Sequence, residues 1–183
     1  MTCIDDVRYW VALNRVPGLG PVRFRRLEAH FGELVNVWKS GLAELRAAGI
    51  GDRRARDIIA ARDRVGPTAE MDGLSKAGVK ALDWNHPQYP RRLNEIYDAP
   101  PLLYLKGDIQ PGDERALAVV GTKGPKAYGR EVASSLTTGL AQSGFCTISS
   151  PGPGGRRYRP QSRHGGGKQD HSRGGQWFGH GLP

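Results

Sequence analysis

Apolar positions recur at helical spacing through roughly the first 65 residues. Val7, Trp10 and Val11 mark one face of a helix over residues 4–15, with Asn14 the one polar break. Val22, Leu27 and Phe31 mark the core side of a second helix, which Gly32 stops. Leu34, Val35 and Trp38 fit a short third helix, and Leu42 and Leu45 open a fourth. Asp52 is placed to cap a helix from Arg53 to Arg64, with Ile58 and Ile59 inward and Arg53, Arg54, Arg56, Arg62 and Arg64 toward water. At Gly66-Pro67-Thr68 the pattern breaks, and residues 66–77 read as a linker. Beyond it, Val79–Trp84 reads as a short strand and Arg91–Tyr97 as a short helix with Leu93 and Ile96 inward. Leu102–Lys106 is an almost continuous apolar strand, Ala116–Val120 another, Ala127–Gln142 a helix ended by Ser143-Gly144, and Phe145–Ser149 a further strand. Buried strands alternating with helices predict an α/β chain with a parallel sheet. The expected domains are therefore a small all-helical one at 1–65, the linker at 66–77, and a parallel-sheet domain at 78–150.

Residues 151–183 break with everything before them. Pro151 to Pro183 holds six Lys/Arg (Arg156, Arg157, Arg159, Arg163, Lys168, Arg173) against Asp170 alone, ten of the 26 glycines, and Leu182 as its one Leu, Ile or Val. Such a stretch cannot bury enough apolar surface to offset backbone entropy, so it is expected to be disordered. It also carries +5 of the net charge of +9, which makes overall basicity poor evidence for nucleic-acid binding. His164, His171 and His180 make no credible metal site, because nothing would fix their geometry. Cys3 and Cys146 are too few for a disulfide scaffold and fit a reducing compartment, where both are expected to be inert. Asp5 and Asp6 argue against a signal peptide, and no apolar run approaches the ~20 residues of a membrane helix. These features predict a soluble cytoplasmic protein with no membrane partner.

Two short segments bear on binding. Val16-Pro17-Gly18-Leu19-Gly20-Pro21 and Ala48-Gly49-Ile50-Gly51 are turns of one type, an apolar residue between two glycines. Paired glycines allow a sharp bend and leave amides exposed at the next helix N-terminus, where a phosphate can bind. The N-terminal region thus resembles helix-hairpin-helix DNA-binding domains, with Gly18, Gly20, Gly49 and Gly51 as candidate DNA contacts. The alternative is that both are merely tight connections between helices. The second segment is Val119-Val120-Gly121-Thr122-Lys123-Gly124-Pro125-Lys126-Ala127. Here a strand ends in a glycine-containing basic loop that opens a helix. Ligands of open α/β sheets bind at that carboxyl end, and the helix start favours anions. Gly121, Thr122 and Lys123, with Lys126 beside them, form a candidate phosphate loop. The G-x-G-x-x-G dinucleotide spacing is absent. The competing reading is a structural turn with solvated lysines.

Tyr89-Pro90 with Leu93 and Ile96, then Ala99-Pro100-Pro101-Leu102-Leu103-Tyr104-Leu105-Lys106-Gly107, Val119-Val120-Gly121-Thr122 and Tyr128-Gly129-Arg130-Glu131 follow one another in order. In that order they resemble the DNA-processing protein A (DprA/Smf) family, from about Asp5 to Ser149. The resemblance implies an extended Rossmann-like fold, here incomplete, and a non-enzymatic protein without cofactor, metal or catalytic residue. Single-stranded DNA and the recombinase RecA are the implied partners, in natural transformation, with a homodimer in the intact family. Where the family usually has Arg, this chain has Lys123, which keeps the charge but loses the paired hydrogen bonds of a guanidinium. Two other functions compete: a nucleotide-binding Rossmann enzyme of phosphoribohydrolase type, and a stand-alone helix-hairpin-helix module on duplex DNA. No carboxylate or histidine lies in the loop to serve the first.

After Ser149 the family resemblance calls for a Ser-Gly-Leu-Ala-Arg-Gly-Ile-Asp loop, an Ala-His helix and another buried strand. Those residues are absent, yet they are recoverable from the coding possibilities. Each codon can be re-read as its last two bases plus the first base of the next. Pro151 to Pro160 then permit Leu, Ala, Arg, Gly, Val, Asp, Asp, Thr or Ile, Ala, His, and His171 to Gly179 permit Ile, Ala, Val, Val, Gly or Ala, Asn, Gly, Leu, Asp. Residues 151–183 are accordingly expected to be a non-native translation that begins with a frame shift near Ser150, leaving the chain without the family's function; the competing reading is a native basic disordered arm that binds nucleic acid.

Overall fold

A computed structural model describes residues 6–122, 124–149 and 176–178. The first helices follow from their apolar spacing: α1 (Val7–Asn14), α2 (Pro21–Phe31), α3 (Leu34–Lys39), α4 (Leu42–Ala47) and α5 (Asp52–Ala61). Trp10, Val11, Leu13, Phe24, Leu27, Leu34, Val37, Leu45 and Ile58 are buried among them. Asn14, the polar break in α1, donates from Nδ2 to the Tyr104 hydroxyl at 3.2 Å, so it is satisfied against a strand far along the chain.

The expected linker at 66–77 is instead a helix, α6 (Pro67–Lys76), packed on α1 with Leu74 buried. Pro67 occupies its first turn, where a missing N–H costs nothing, so Gly66-Pro67 starts a helix rather than breaking the chain. Then come β1 (Lys80–Asp83), the one-turn helix α7 (Arg91–Asn94), β2 (Leu102–Lys106), a 3₁₀ turn (Pro111–Arg115), β3 (Ala116–Ala118), α8 (Ala127–Gln142), β4 (Cys146–Ile148) and β5 (Gln176–Phe178). The chain is mixed α/β, as expected, but its described strands form two sheets. β1 pairs antiparallel with β2, Lys80 opposite Leu105 and Asp83 opposite Leu102, which corrects the expectation that these strands join a parallel sheet. Among the described residues only β3 and β4, joined through α8, are parallel, with Ala116 opposite Cys146 and Ala118 opposite Ile148.

The division of the chain also departs from the expected boundaries at 65 and 78. One compact unit holds the described residues up to Gly107 together with β5, and a second begins at Asp108. The strands β1 and β2 belong to the helical unit because α1 packs directly on both, and Leu102, Leu103, Tyr104 and Leu105 are all buried. Most of the tail expected to be disordered lies outside the described residues. Its Gln176–Phe178 is a strand, however, pairing antiparallel with the second edge of β2, Tyr104 opposite Phe178. An unpaired strand edge is a template for any extended segment, which is the physical reason a polar tail can place three residues there.

Several side chains correct the sequence reading. Val22 and Ile96 are exposed. Asp52 does not cap its helix; Gly51 occupies the cap position, and Asp52 accepts from Arg46 Nε and Nη2 at 2.6 and 2.7 Å. Arg62 does not face water. Its Nη2 donates to the carbonyls of Ser40 (2.6 Å) and Val37 (3.2 Å), closing the exposed end of α3. Burial lowers the pKa of this guanidinium from its ordinary value. Among the described residues no helix is long and apolar enough to cross a membrane.

Two outcomes are expected. Arg62→Met should lower stability by about 1–3 kcal/mol in a denaturant titration, the scale of leaving the Ser40 carbonyl unpaired, while the Val37 carbonyl keeps the Ser40 hydroxyl. Asp83 is buried and accepts the Asn85 N–H at 2.8 Å, and desolvation raises its pKa above the ordinary carboxylate value. A raised carboxyl stabilises the fold while protonated and loses that contribution as pH rises through its folded pKa. Asp83→Asn should therefore melt at the same or higher temperature than the unchanged chain at pH 7. The gap should close as pH is lowered toward the ordinary carboxylate range. A variant that melts lower at pH 7 would contradict this.

Candidate nucleic-acid interface

The two glycine turns share one backbone. Gly18 and Gly49 both take positive φ (+73° and +75°), a conformation that glycine reaches without strain. The apolar residue after each, Leu19 and Ile50, is buried, and anchors the turn to the core. Gly20 and Gly51 then stand extended at the N-cap positions of α2 and α5. Neither helix start is covered by a side-chain cap, which leaves first-turn amides to solvent.

Guanidinium groups gather at the first turn. Arg23 Nη1 donates to the Gly18 carbonyl at 2.9 Å. The Arg54 guanidinium, reaching over from α5, lies 2.7 Å from where a Gly18 Cβ would be, and Arg54 also pairs with Asp57 at 2.7 Å. Gly18 is thus required by its backbone angle, and its missing Cβ also gives the Arg54 head room to lie against the turn. Sequence reading identified the glycines but not Arg23 and Arg54 as their neighbours. The 31-residue offset between the two turns was the available signal that α2 and α5 are equivalent elements.

The second candidate lies at the carboxyl end of β3. The Val119 N–H donates to the Ile148 carbonyl at 2.8 Å, so pairing continues one residue past the strand before the chain leaves at Val120. Gly121 and Thr122 follow, both exposed; Lys123 lies outside the described residues. Gly124 takes φ +85° and Lys126 is the exposed N-cap residue of the 16-residue helix α8. Arg130, one turn into α8, donates from Nη1 to the Pro125 carbonyl at 2.7 Å. A Cβ on Gly129 would sit 3.3 Å from the proline Cβ, a tight contact, so its absence eases the approach of Pro125. The loop is therefore held against the start of α8 by Gly129 and Arg130, two residues the sequence reading did not assign to it. Their positions at the first turn of the helix were the available clue. The structure brings Gly121, Thr122 and Lys126 into one exposed loop, and Gly18, Gly20, Gly49 and Gly51 into two matching turns.

Near the loop, Cys146 on β4 is half-buried, and burial together with Asp113 raises its thiol pKa. A raised thiol is a poor nucleophile, in keeping with the inert role expected of it. Tyr89 is buried with its hydroxyl donating to the Pro100 carbonyl at 2.7 Å, and burial pushes its pKa up to about 12.

A family model described as DNA recombination-mediator protein A matches residues 80–154, from β1 through β4. The Smf protein of Synechocystis sp. (strain ATCC 27184 / PCC 6803 / Kazusa) is 32% identical over 150 residues, 79% of this chain and 38% of that protein. The chain belongs to the DNA-processing protein A family. The DNA processing protein DprA of Bacillus subtilis (strain 168) is 36% identical over 73 residues, 39% of this chain and 25% of the relative. The chain thus spans well under half the length of these family relatives. A match of 44% identity over 73 residues also joins it to the UvrABC system protein C of Parafrankia sp. (strain EAN1pec), covering 10% of that protein.

Gly18→Ala should cost about 1–2 kcal/mol in thermal or chemical melts, the price of a left-handed alanine. The flexible Arg54 head can move aside, so the backbone angle should set the loss. Gly20→Ala, with extended backbone and open space around its α-carbon, should cost less, about 0.5–1 kcal/mol, because alanine is the poorer residue at a helix N-cap.

Proposed function

We propose that this chain carries the front part of a family protein that binds single-stranded DNA through the 121–126 loop. In an intact homodimeric member it delivers that DNA to RecA. One observation carries the reading: an exposed basic loop, braced by Gly129 and Arg130, between the end of a parallel strand and the start of a long helix. That arrangement presents amides and the positive helix end to an anion. The family's description as a DNA recombination mediator supports DNA, rather than a free nucleotide, as the anion's source. A cationic loop that tracks the backbone phosphates carries no base preference, which suits binding of single strands of any sequence.

A second reading, duplex binding by the N-terminal turns, is favoured by their repeated geometry and by Arg23 and Arg54 gathered at the first. The two readings separate in one experiment. In a family-length chain, with the frame restored at codon 151, Lys123→Ala and Lys126→Ala should each weaken single-stranded DNA binding several-fold. Each should also flatten the log–log salt slope by about 0.7, the share of one phosphate contact on a single strand. Lys123→Arg should preserve or raise affinity. Unchanged affinity and slope in both alanine variants would make the loop structural. A preference for duplex competitor that is lost on Arg53→Ala/Arg56→Ala would favour the N-terminal turns instead.

A further inference from the structure

The candidate loop has an exposed aromatic neighbour. Tyr128 is the second residue of α8, two positions after the N-cap Lys126, and it is 78% exposed. Helix side chains tilt toward the N-terminus of their own helix, so a ring at this position leans toward the loop. It is also off the face that α8 packs. The half-buried positions Gly129, Ala133, Thr137 and Leu140 recur at the spacing of one helix face, and Tyr128 is not among them. Val120, where the chain leaves β3, is 83% exposed. A single exposed apolar residue needs no explanation. Here two of them bracket the stretch Gly121–Lys126, whose described residues are all exposed and which ends in a cation.

Other tyrosines of the chain are used differently. Tyr89 and Tyr104 are buried, and their hydroxyls bond to the Pro100 carbonyl at 2.7 Å and the Asn14 amide at 3.2 Å. Those rings serve a core. The Tyr128 hydroxyl has no hydrogen-bond partner among the described residues, and its ring covers nothing that the fold needs covered. A nucleic-acid strand offers such a surface two things, the charge of its phosphates and the π-faces of its bases. Loop amides and Lys126 meet the first. A free ring beside them meets the second, since bases of any identity stack on aromatic side chains. In a duplex both faces of a base are already stacked on neighbours, and a base must be extruded before a protein ring can reach it. An exposed ring therefore selects single strands by access, without reading sequence.

We infer that Tyr128 is a stacking platform for a base of single-stranded DNA whose phosphate lies on the 121–126 loop. The inference rests on the loop reading above and adds the group that tells a single strand from a duplex.

Titration of the 183-residue chain with a labelled oligothymidylate, a duplex, and an abasic strand of equal length tests it. Tyr128→Ala should weaken oligothymidylate binding about 5- to 100-fold, the range of one lost base stack, and leave the salt slope unchanged, because no phosphate contact is removed. Tyr128→Phe should bind like the unchanged chain. On the abasic strand Tyr128→Ala and the unchanged chain should bind alike, and on the duplex both should bind more weakly than the unchanged chain binds oligothymidylate. Tyr97→Ala removes a ring of the first unit that is 88% exposed, and should change none of these. A strand carrying 5-iodouracil, irradiated in the complex, should crosslink to Tyr128, a readout that also captures weak complexes. Lys126→Ala separates this inference from the loop reading, since it should weaken binding and flatten the salt slope on oligothymidylate and abasic strand alike. If it does so while Tyr128→Ala has no effect, or acts equally on the abasic strand, the stacking inference fails and the loop reading stands. If neither substitution changes binding and no crosslink forms at Tyr128, both fail. Lower melting or altered sedimentation of Tyr128→Ala would also overturn the inference, because the ring would then belong to a packing surface.

Discussion

The helical unit depends on one aromatic junction. Trp10 of α1, Phe24 of α2 and Trp84 at the end of β1 meet with centroids 5.4–6.4 Å apart, Trp10 stacked on Phe24 and Trp84 edge-on to both. Aromatic side chains bury about 150–250 Å² each, so a three-way contact of this kind outweighs any single ion pair on the surface. The junction is also oriented. Glu28 of α2 accepts from the Trp84 indole N–H at 2.9 Å and from the Asn85 amide, and the Arg25 guanidinium lies 4.8 Å over the Trp84 ring. One strand end is thereby fixed to two helices. β2 follows because it pairs with β1, and α6 because it packs on α1 and leads directly into β1. This is why the chain divides after Gly107 rather than at the glycine-proline break after α5.

What could be read from the sequence was local. The limits of α8 matched its apolar spacing and its Ser143-Gly144 stop, and β2 matched its unbroken apolar run, because both signals are complete within the segment. The turns at Gly18 and Gly49 were legible for the same reason. What failed was decided by partners distant in sequence. Nothing near Leu102–Lys106 says that Lys80–Asp83 will lie antiparallel beside it. Arg62 looks like any exposed arginine until α3 ends with two carbonyls in its reach. Gly66-Pro67 was read as a stop because both residues break helices in their interior, although both are favourable at a helix start. The candidate loop shows the same split: its glycines and lysines were visible, whereas the Arg130–Pro125 brace was not, since a backbone carbonyl partner leaves no mark in residue type.

The family match runs from Lys80 to Gly154 and so crosses the division between the units. Its two parts stand in different physical states. β1 and β2 are finished: their apolar faces are covered, and their residues are core of the unit that α1 organises. β3, α8 and β4 carry the candidate loop but bury no described residue. A family motif can therefore be present in sequence with none of its described residues in a buried core.

That difference bears on how an anion site works. A phosphate loop gains affinity when its amides and cations are fixed before the ligand arrives, because ordering them on binding consumes part of the interaction energy. In this loop the fixing contacts are local: the Arg130 bond to Pro125, the close approach of Gly129, and the Val119–Ile148 backbone pair. They set the shape of the loop, but each draws on elements that are themselves uncovered. The geometry of the described loop residues is set by these local contacts, whereas rigidity, which turns geometry into affinity, comes with burial. The glycine turns of the first unit differ on this point, since Leu19 and Ile50 pin them to a closed core. Of the two candidate interfaces, the turns are preorganised by anchors buried in a core and the loop by local contacts among exposed residues, so binding at the loop carries the larger ordering cost.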